Sequence, residues 1–379
     1  MVPMSVHTTV LVAVVLALVG SSQVSIGAAA ASEAFPDADR AALTAIIEKA
    51  MEDSRLPGLN VGIWIPGRGN LVQSFGTGDL ETGAPMNIAD HVRIASITKS
   101  FTATAILQLV DQGKLSLDDT LARFIDGIPN GERITIRHLL NMTSGIYDFP
   151  ADPQFMEAIT ADPLMAFGPD DVIAILRRNK PNFEPGAEVV YCDTNYILLG
   201  VILEQVSGGR AAETITHDFI EPLRLTGTSF PDAPTMPEPY AHGYYAGEDA
   251  RGPFEDFTVS NPNLPWTAGA MISTLEDLRV WAKVLATGTE LSPATQRERL
   301  TFRPFTTGNE GASYGLGILN YSGFLGHYGM IFGYTTAIFY LPEADATFVI
   351  SGNQSTNFSM AATEIFLELA QYLYPDRFK

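Results

Sequence analysis

The 379-residue chain carries 23 Lys and Arg against 43 Asp and Glu, a formal net charge of −20, and this acidic balance excludes nucleic acid and anionic membrane surfaces as partners. With 46% hydrophobic and 17% charged residues, it has the composition of an enzyme-sized globular protein, not of a disordered or fibrous one. A single cysteine, Cys192, excludes an intramolecular disulfide and any multi-cysteine metal site.

The chain opens with an apolar run, TTVLVAVVLALVG over residues 8–20, followed by small residues through Ala28-Ala29-Ala30-Ala31-Ser32. The run is too short to span a bilayer comfortably and carries the apolar core and Ala-x-Ala pattern of an export signal, although no Lys or Arg precedes it. Residues 1–31 are therefore expected to be the signal. The mature chain, 32–379, is expected to be secreted or periplasmic with no membrane span. Leu43, Ile46, Ile47 and Ala50 then predict an amphipathic helix over 37–53, ended by Leu56-Pro57-Gly58. Leu59–Ile65 and Leu71–Phe75, separated by Pro66-Gly67-Arg68-Gly69-Asn70, predict a β-hairpin.

Ser96-Ile97-Thr98-Lys99 comes next, at the head of a segment with no charge from Phe101 to Val110 and a stop at Asp111 and Gly113. A helix apolar nearly all round belongs inside a protein. Ser96 and Lys99 share one face of it. A lysine withdrawn from water beside a hydroxyl loses part of its preference for the charged form, so it can take the serine proton as the oxygen attacks a carbonyl. The blander reading is that Lys99 snorkels out or pairs with a carboxylate.

Residues 114–262 read as helices and irregular loops, with turn signals at Gly127-Ile128-Pro129-Asn130 and Glu184-Pro185-Gly186 and a clear apolar helix over 195–206 closed by Gly208-Gly209. Ser273-Thr274-Leu275-Glu276 has the pattern of a capping box, with Leu278, Trp281, Ala282 and Leu285 following on one face. Strands are predicted over 315–321, 335–341 and 347–351. A last helix turns Ala362, Ile365, Phe366, Leu369 and Leu373 inward before Pro375 stops it. Strands at both ends and helices between them predict an α+β fold. One antiparallel β-sheet, flanked by helices, is built from the N- and C-terminal segments, with an inserted mainly helical subdomain over about 100–262. An active site at the seam is the expected arrangement.

Two further clusters are candidates for chemistry. In Tyr191-Cys192-Asp193 a tyrosine near a lysine holds its phenolate more readily, which makes Tyr191 a candidate base or proton shuttle. Asp193 is also well placed to cap the helix that follows. Cys192 reads as a small packed residue. In Gly326-His327-Tyr328-Gly329 the imidazole can bond a substrate or the tyrosine, and the glycine permits close approach of a ligand.

On these three motifs, in this order, the chain resembles the serine β-lactamase and D-Ala-D-Ala carboxypeptidase family of the class C type, penicillin-binding-protein-like enzymes that include esterases and D-amino-acid peptidases. Further stretches share the likeness: Ile134-Thr135-Ile136-Arg137-His138-Leu139-Leu140 with Thr143-Ser144-Gly145, Thr194-Asn195-Tyr196, Ala241-His242-Gly243-Tyr244 and Ala268-Gly269. The resemblance implies a β-lactamase/transpeptidase-like fold and a nucleophile at Ser96, with general-base and general-acid duty shared by Lys99 and Tyr191. It also implies substrate contacts at Asp193, His327, Gly329 and Met330, the oxyanion being held by the backbone N–H groups of Ser96 and Met330.

Two positions depart from the family pattern. Asp193 stands where an asparagine would donate an amide N–H, and an ionised carboxylate only accepts. His327 stands where class C β-lactamases carry a lysine, and a mostly neutral imidazole attracts an anion less than an ammonium does. Hydrolysis of peptide, amide or ester bonds, carboxypeptidase-like or esterase-like, therefore ranks above β-lactam hydrolysis. The expected substrate is a small molecule or a peptide, cell-wall peptides included, and no cofactor or metal is expected. Tyr240, Tyr244, Tyr245, Phe254 and Phe257 are candidates to rim an apolar acyl pocket. A catalytically silent peptidoglycan- or penicillin-binding module is the alternative of another class, opposed by the presence of both Ser96 and Lys99. A phosphate loop, a His-Glu-x-x-His zinc motif and a Gly-x-Ser-x-Gly elbow are all missing from the sequence.

Overall fold

The structure, a computed structural model, describes residues 33–247, 252–308, 311–356 and 360–379. The export signal expected over 1–31 lies outside these residues. Among them no helix is long and apolar enough to cross a membrane.

Helix α1 (Asp37–Ser54) buries Leu43 and Ile47 and ends at Arg55 in the left-handed conformation. Strands β1 (Gly58–Ile65) and β2 (Gly69–Asp79) then form the predicted hairpin, with Leu59 opposite Phe75 and Ile63 opposite Leu71. All eight residues of β1 are buried, which explains why its sequence runs apolar without alternation: both faces are covered.

The main sheet is completed by β3 (Ala84–Pro85), β4 (Arg303–Pro304), β5 (Ala312–Tyr314), β6 (Leu319–Tyr321), β7 (Phe324–Ile331), β8 (Tyr334–Leu341) and β9 (Ala346–Gly352). Its nine strands lie in the order β3-β2-β1-β9-β8-β7-β6-β5-β4, antiparallel throughout. Val61 of β1 pairs with Ile350 of β9, so the two ends of the chain meet at the centre of the sheet.

Strand alternation sorts the side chains into two layers. Phe339 and Phe348, paired across β8 and β9, pack on Phe366 of α5 (Ala361–Leu373), the ring centroids of Phe339 and Phe366 lying 4.1 Å apart. Burying each such ring contributes roughly 1.5–3 kcal/mol. One residue out of phase, Tyr340 lies under Lys283 of α4 (Leu275–Thr287). Helices α1 and α5 thus cover one face and α4 the other.

Helix α2 (Thr98–Asp111) runs behind α4, with Phe101 stacked on Trp281 at 3.6 Å. Its polar side chains are paired internally: Thr102 Oγ1 donates to the Thr267 carbonyl, Thr104 Oγ1 to the Ser100 carbonyl, and Trp281 Nε1 to Ser100 Oγ. Thr98 Oγ1 accepts from the Met271 amide, and this satisfaction is what makes a buried helix with four hydroxyls tolerable. Helix α3 (Thr194–Ser207) packs against α2 and the short helix Trp266–Gly269. Gly200 makes that approach possible, because a Cβ there would meet Thr267 Oγ1 at 2.2 Å.

Two local expectations are corrected. The strand read over 315–321 begins only at Leu319. Gly315 and Gly317 instead form a tight turn, Gly317 at φ +75° and its α-carbon so close to Ala103 that a side chain would overlap it. The capping box at 273–276 does not form: Thr274 makes no side-chain cap bond, and Ser273 Oγ is bonded to Thr228 Oγ1 at 2.8 Å.

Candidate active site

Ser96 sits in a 3₁₀ turn, Ala95–Ile97, that leads directly into α2. Ala95 before it adopts φ +49°, a conformation unusual for a residue with a side chain. Lys99, one turn on, is fully buried. Its ammonium donates to three oxygens: Asp193 Oδ1 at 2.5 Å, the Ala268 carbonyl at 2.7 Å and Ser96 Oγ at 2.9 Å. These match the three donors of an ammonium, so the cation is held with its full complement of partners. It also lies 5.1 Å from the centre of the Tyr191 ring. Ser96, Lys99, Asp193 and Tyr191 are therefore brought together.

The Tyr191 hydroxyl is buried, without a hydrogen bond of good geometry. Burial first, then the Asp193 charge, pushes its pKa well above 10, against a smaller lowering by Ser96 close by. Tyr191 therefore holds its proton at neutral pH, and the arrangement suits a proton donor better than a resting base.

His327 stands beside Tyr191, their ring centroids 6.5 Å apart, but both its nitrogens are bonded to other partners. Its ring is fully buried, with Nδ1 2.6 Å from the Tyr328 carbonyl and Nε2 2.9 Å from the Tyr314 hydroxyl. Nδ1 must carry the hydrogen to donate to a carbonyl, so Nε2 accepts from Tyr314. Burial, with a smaller push from Lys99, lowers its pKa to about 3. The imidazole is neutral, and both nitrogens are occupied within the protein. Gly329, two residues on, lets β7 lie against the turn of Ser96: a Cβ there would meet the Ile94 carbonyl oxygen at 2.3 Å and the Ser96 nitrogen at 2.9 Å.

Ser96, Asp193 and Met330 open onto one cavity of about 500 Å³. Its walls are apolar, Phe149, Phe155 and Ile159 on one side and Tyr245 and Phe332 on the other. Of the aromatic residues singled out in the sequence only Tyr245 reaches it; Phe257 stands behind Phe332, and the Tyr244 hydroxyl accepts from the Leu80 amide. The Phe149–Ile159 wall was not legible as such. No group of three or more His, Cys, Asp or Glu side chains among the described residues is placed to hold a metal.

Asp193 makes no cap bond to α3. Asp148 does so instead, from a loop 45 residues earlier: its Oδ1 accepts from the Thr194 amide and hydroxyl, each at 3.1 Å, and faces Cys192 Sγ at 3.5 Å. The capping role read for Asp193 is thus corrected, and the reason is physical: with Asp148 supplying the acceptor, Asp193 is released to pair with Lys99. A lone carboxylate in the apolar run Ile146–Pro150 was the one sequence signal for Asp148.

Burial first, then the neighbouring Asp193 charge, raises the Asp148 pKa from 3.8 to about 7. A folded-state pKa above the unfolded one contributes stability that is lost as pH rises towards the folded value. Asp148→Asn keeps the acceptor for Thr194 and removes that loss. Its Tm relative to the parent protein should rise between about pH 4 and 7, by at least about 2 °C, and level off above. The opposite trend from His327, whose stability contribution falls as pH drops from 6.5 towards 3, is common to both proteins and cancels in the difference. Differential scanning fluorimetry across this range checks it.

The family model described as Beta-lactamase matches residues 43–372. Protein flp of Staphylococcus aureus (strain N315) is 31% identical over 244 residues, 63% of this chain and 47% of that protein. The D-aminopeptidase of Brucella anthropi is 28% identical over 283 residues, 74% of this chain and 52% of that protein. The chain thus spans about half the length of the curated relatives it matches. The crystal structure of a D-stereospecific amidohydrolase from Streptomyces sp. superimposes with a TM-score of 0.76 at 28% identity, covering 86% of this chain and 98% of that one.

Proposed function

Because the chain belongs to the beta-lactamase family of serine hydrolases, we propose that it hydrolyses amide bonds, and esters of the same acids, through an acyl-enzyme on Ser96. The observation that carries this reading is the Lys99 ammonium held between Ser96 Oγ and Asp193 Oδ1 at the edge of the apolar cavity. The names of the D-aminopeptidase and the D-stereospecific amidohydrolase support the amide bond as the target.

The steps follow from the contacts. Lys99 passes one proton to Asp193, its closest partner, and takes the proton of Ser96 as the oxygen attacks the carbonyl. An asparagine at 193 has no such capacity. The oxyanion faces the Ser96 and Met330 amides, donors of a kind worth about 3–4 kcal/mol each. The leaving amine needs a proton to depart, and Tyr191, held neutral by burial, is the donor on hand. Water then releases the acyl group by the reverse relay. Read as an export signal, residues 1–31 would deliver the enzyme outside the cytoplasm.

The test compares phenylalanine amide, a p-nitrophenyl ester, a chromogenic cephalosporin and an acyl-D-Ala-D-Ala peptide on the purified protein. Amide and ester turnover should exceed that of the cephalosporin and the peptide by at least about tenfold. A cephalosporin or carboxypeptidase rate above the amide rate overturns the assignment.

A further inference from the structure

Thr194 joins two parts of the site that lie 45 residues apart in sequence. It opens α3 directly after Asp193 and is fully buried. The N–H of the peptide linking Asp193 to Thr194 donates to Asp148 Oδ1 at 3.1 Å, and the N–H of the peptide linking Asp148 to Phe149 donates to Thr194 Oγ1 at 2.8 Å. An amide N–H only donates, so Thr194 Oγ1 is the acceptor there and its hydrogen is left for Asp148 Oδ1, at 3.1 Å. Each segment thus fixes a peptide plane of the other.

The two planes serve different tasks. The first orients Asp193, whose Oδ1 receives the Lys99 ammonium. The second orients Phe149, a wall of the cavity, whose ring meets Phe155 edge-on at 5.0 Å and lies 5.9 Å from Phe167. Phe155 is anchored separately: its amide donates to Asp152, which is paired with Arg178. Phe149 is therefore the part of the wall that answers to Thr194.

The base of the Phe149 loop is fastened by other bonds. Ser144 Oγ donates to Asn195 Oδ1 at 2.6 Å and accepts from the Ile146 amide, while Asn182 donates from its amide to the Gly145 carbonyl and from Nδ2 to the Ile146 carbonyl. Removing the Thr194 hydroxyl leaves all of these in place. It strands the buried Phe149 amide, which must shift to find another acceptor. The displacement falls on Asp148 and Phe149, the two residues that touch Thr194.

We propose that Thr194 is a positioning residue for the acylation of Ser96: its hydroxyl holds the Phe149 wall and the Asp193 carboxylate in register, so that selectivity for the acyl group and speed of the Lys99 relay depend on one buried side chain. The proposal rests on Ser96 being the nucleophile and on Asp193 taking the proton of Lys99.

Two esters, p-nitrophenyl acetate and p-nitrophenyl 3-phenylpropanoate, test it on the parent protein, Thr194→Val, Thr194→Cys and Thr194→Ser. The acetate is too small to reach the wall and reads the relay alone; the phenylpropanoate reads the wall as well. In the parent the phenylpropanoate should exceed the acetate by at least about tenfold in kcat/KM. Thr194→Val removes the hydroxyl at constant size, and there kcat/KM on the acetate should fall by about tenfold to a hundredfold. The ratio of the two esters should shrink in the same variant to within about threefold. Thr194→Ser keeps the hydroxyl and should restore both quantities, and Thr194→Cys, a weaker donor and acceptor at the same place, should lie between. Melting curves on each variant separate these effects from stability. Parent rate and parent selectivity in Thr194→Val, or in Thr194→Cys where the valine protein does not fold, mark a merely structural role and overturn the proposal. A serine variant as impaired as the valine one overturns it too, as does a parent that turns over both esters equally. Labelling of Ser96 with a fluorescent fluorophosphonate runs in parallel. A parent that is not labelled removes the nucleophile, whereas a labelled parent whose variants keep rate and selectivity loses this proposal alone.

Discussion

Replacing Ser96 by alanine is expected to lower kcat/KM for every amide and ester substrate by at least about a thousandfold, as loss of a nucleophile does in acyl-transfer enzymes, while leaving the Tm within about 2 °C. The fold has little to lose there. Ser96 Oγ is bonded to Lys99, which keeps Asp193 and the Ala268 carbonyl, and the 3₁₀ turn is held by backbone bonds such as that of Ile97 to the Ile94 carbonyl. Steady-state kinetics beside a melting curve separate the two effects. Undiminished turnover in a folded Ser96→Ala protein would remove the nucleophile from this position.

Lys99→Met is the second large effect, and it touches stability as well as rate. Methionine matches the length of the stem but leaves Asp193 without its cation. Breaking a buried pair by removing one partner costs about 3–5 kcal/mol, and since 31% of the Asp193 side chain reaches solvent, the low end, about 3 kcal/mol, is expected. Loss of the proton relay should lower kcat by about a hundredfold to ten-thousandfold. Lys99→Met combined with Asp193→Asn separates the two, because neutralising the stranded carboxylate should restore most of the stability and none of the rate. Urea denaturation and kcat on the three variants supply the comparison. Recovery of rate along with stability would mean that Lys99 serves only as a counter-ion.

How much of this was legible in the sequence depended on whether the relevant contact was local. Ser96 and Lys99 lie within one helical turn, and the uncharged run from Phe101 to Val110 placed them inside; α2 is buried from Thr98 to Leu107. The hairpin of β1 and β2 and the helices α1, α3 and α5 came from short-range periodicity and turn residues in the same way. The pairing of Lys99 with Asp193 spans 94 residues, and no local pattern announces it. Asp193 carried the signature of a helix cap, and only the folded chain shows that Asp148 supplies the acceptor. His327 was the hardest to orient. Strand β7 is buried from Phe324 to Gly329, so there is no polar and apolar alternation to tell which face its imidazole takes. The partner that holds it, Tyr314, lies on β5, two strands away in the sheet. The apolar wall from Phe149 and Phe155 belongs to a loop and a short helix whose sequence reads as ordinary core.

Peptide-mapped mass spectrometry of the protein quenched in acid during turnover of a slow ester addresses the acyl-enzyme directly. A single acyl adduct on the peptide containing Ser96, rising and falling with the substrate and missing from Ser96→Ala, is the expected result. An adduct on another residue, or continued hydrolysis with no adduct at any time, would contradict it.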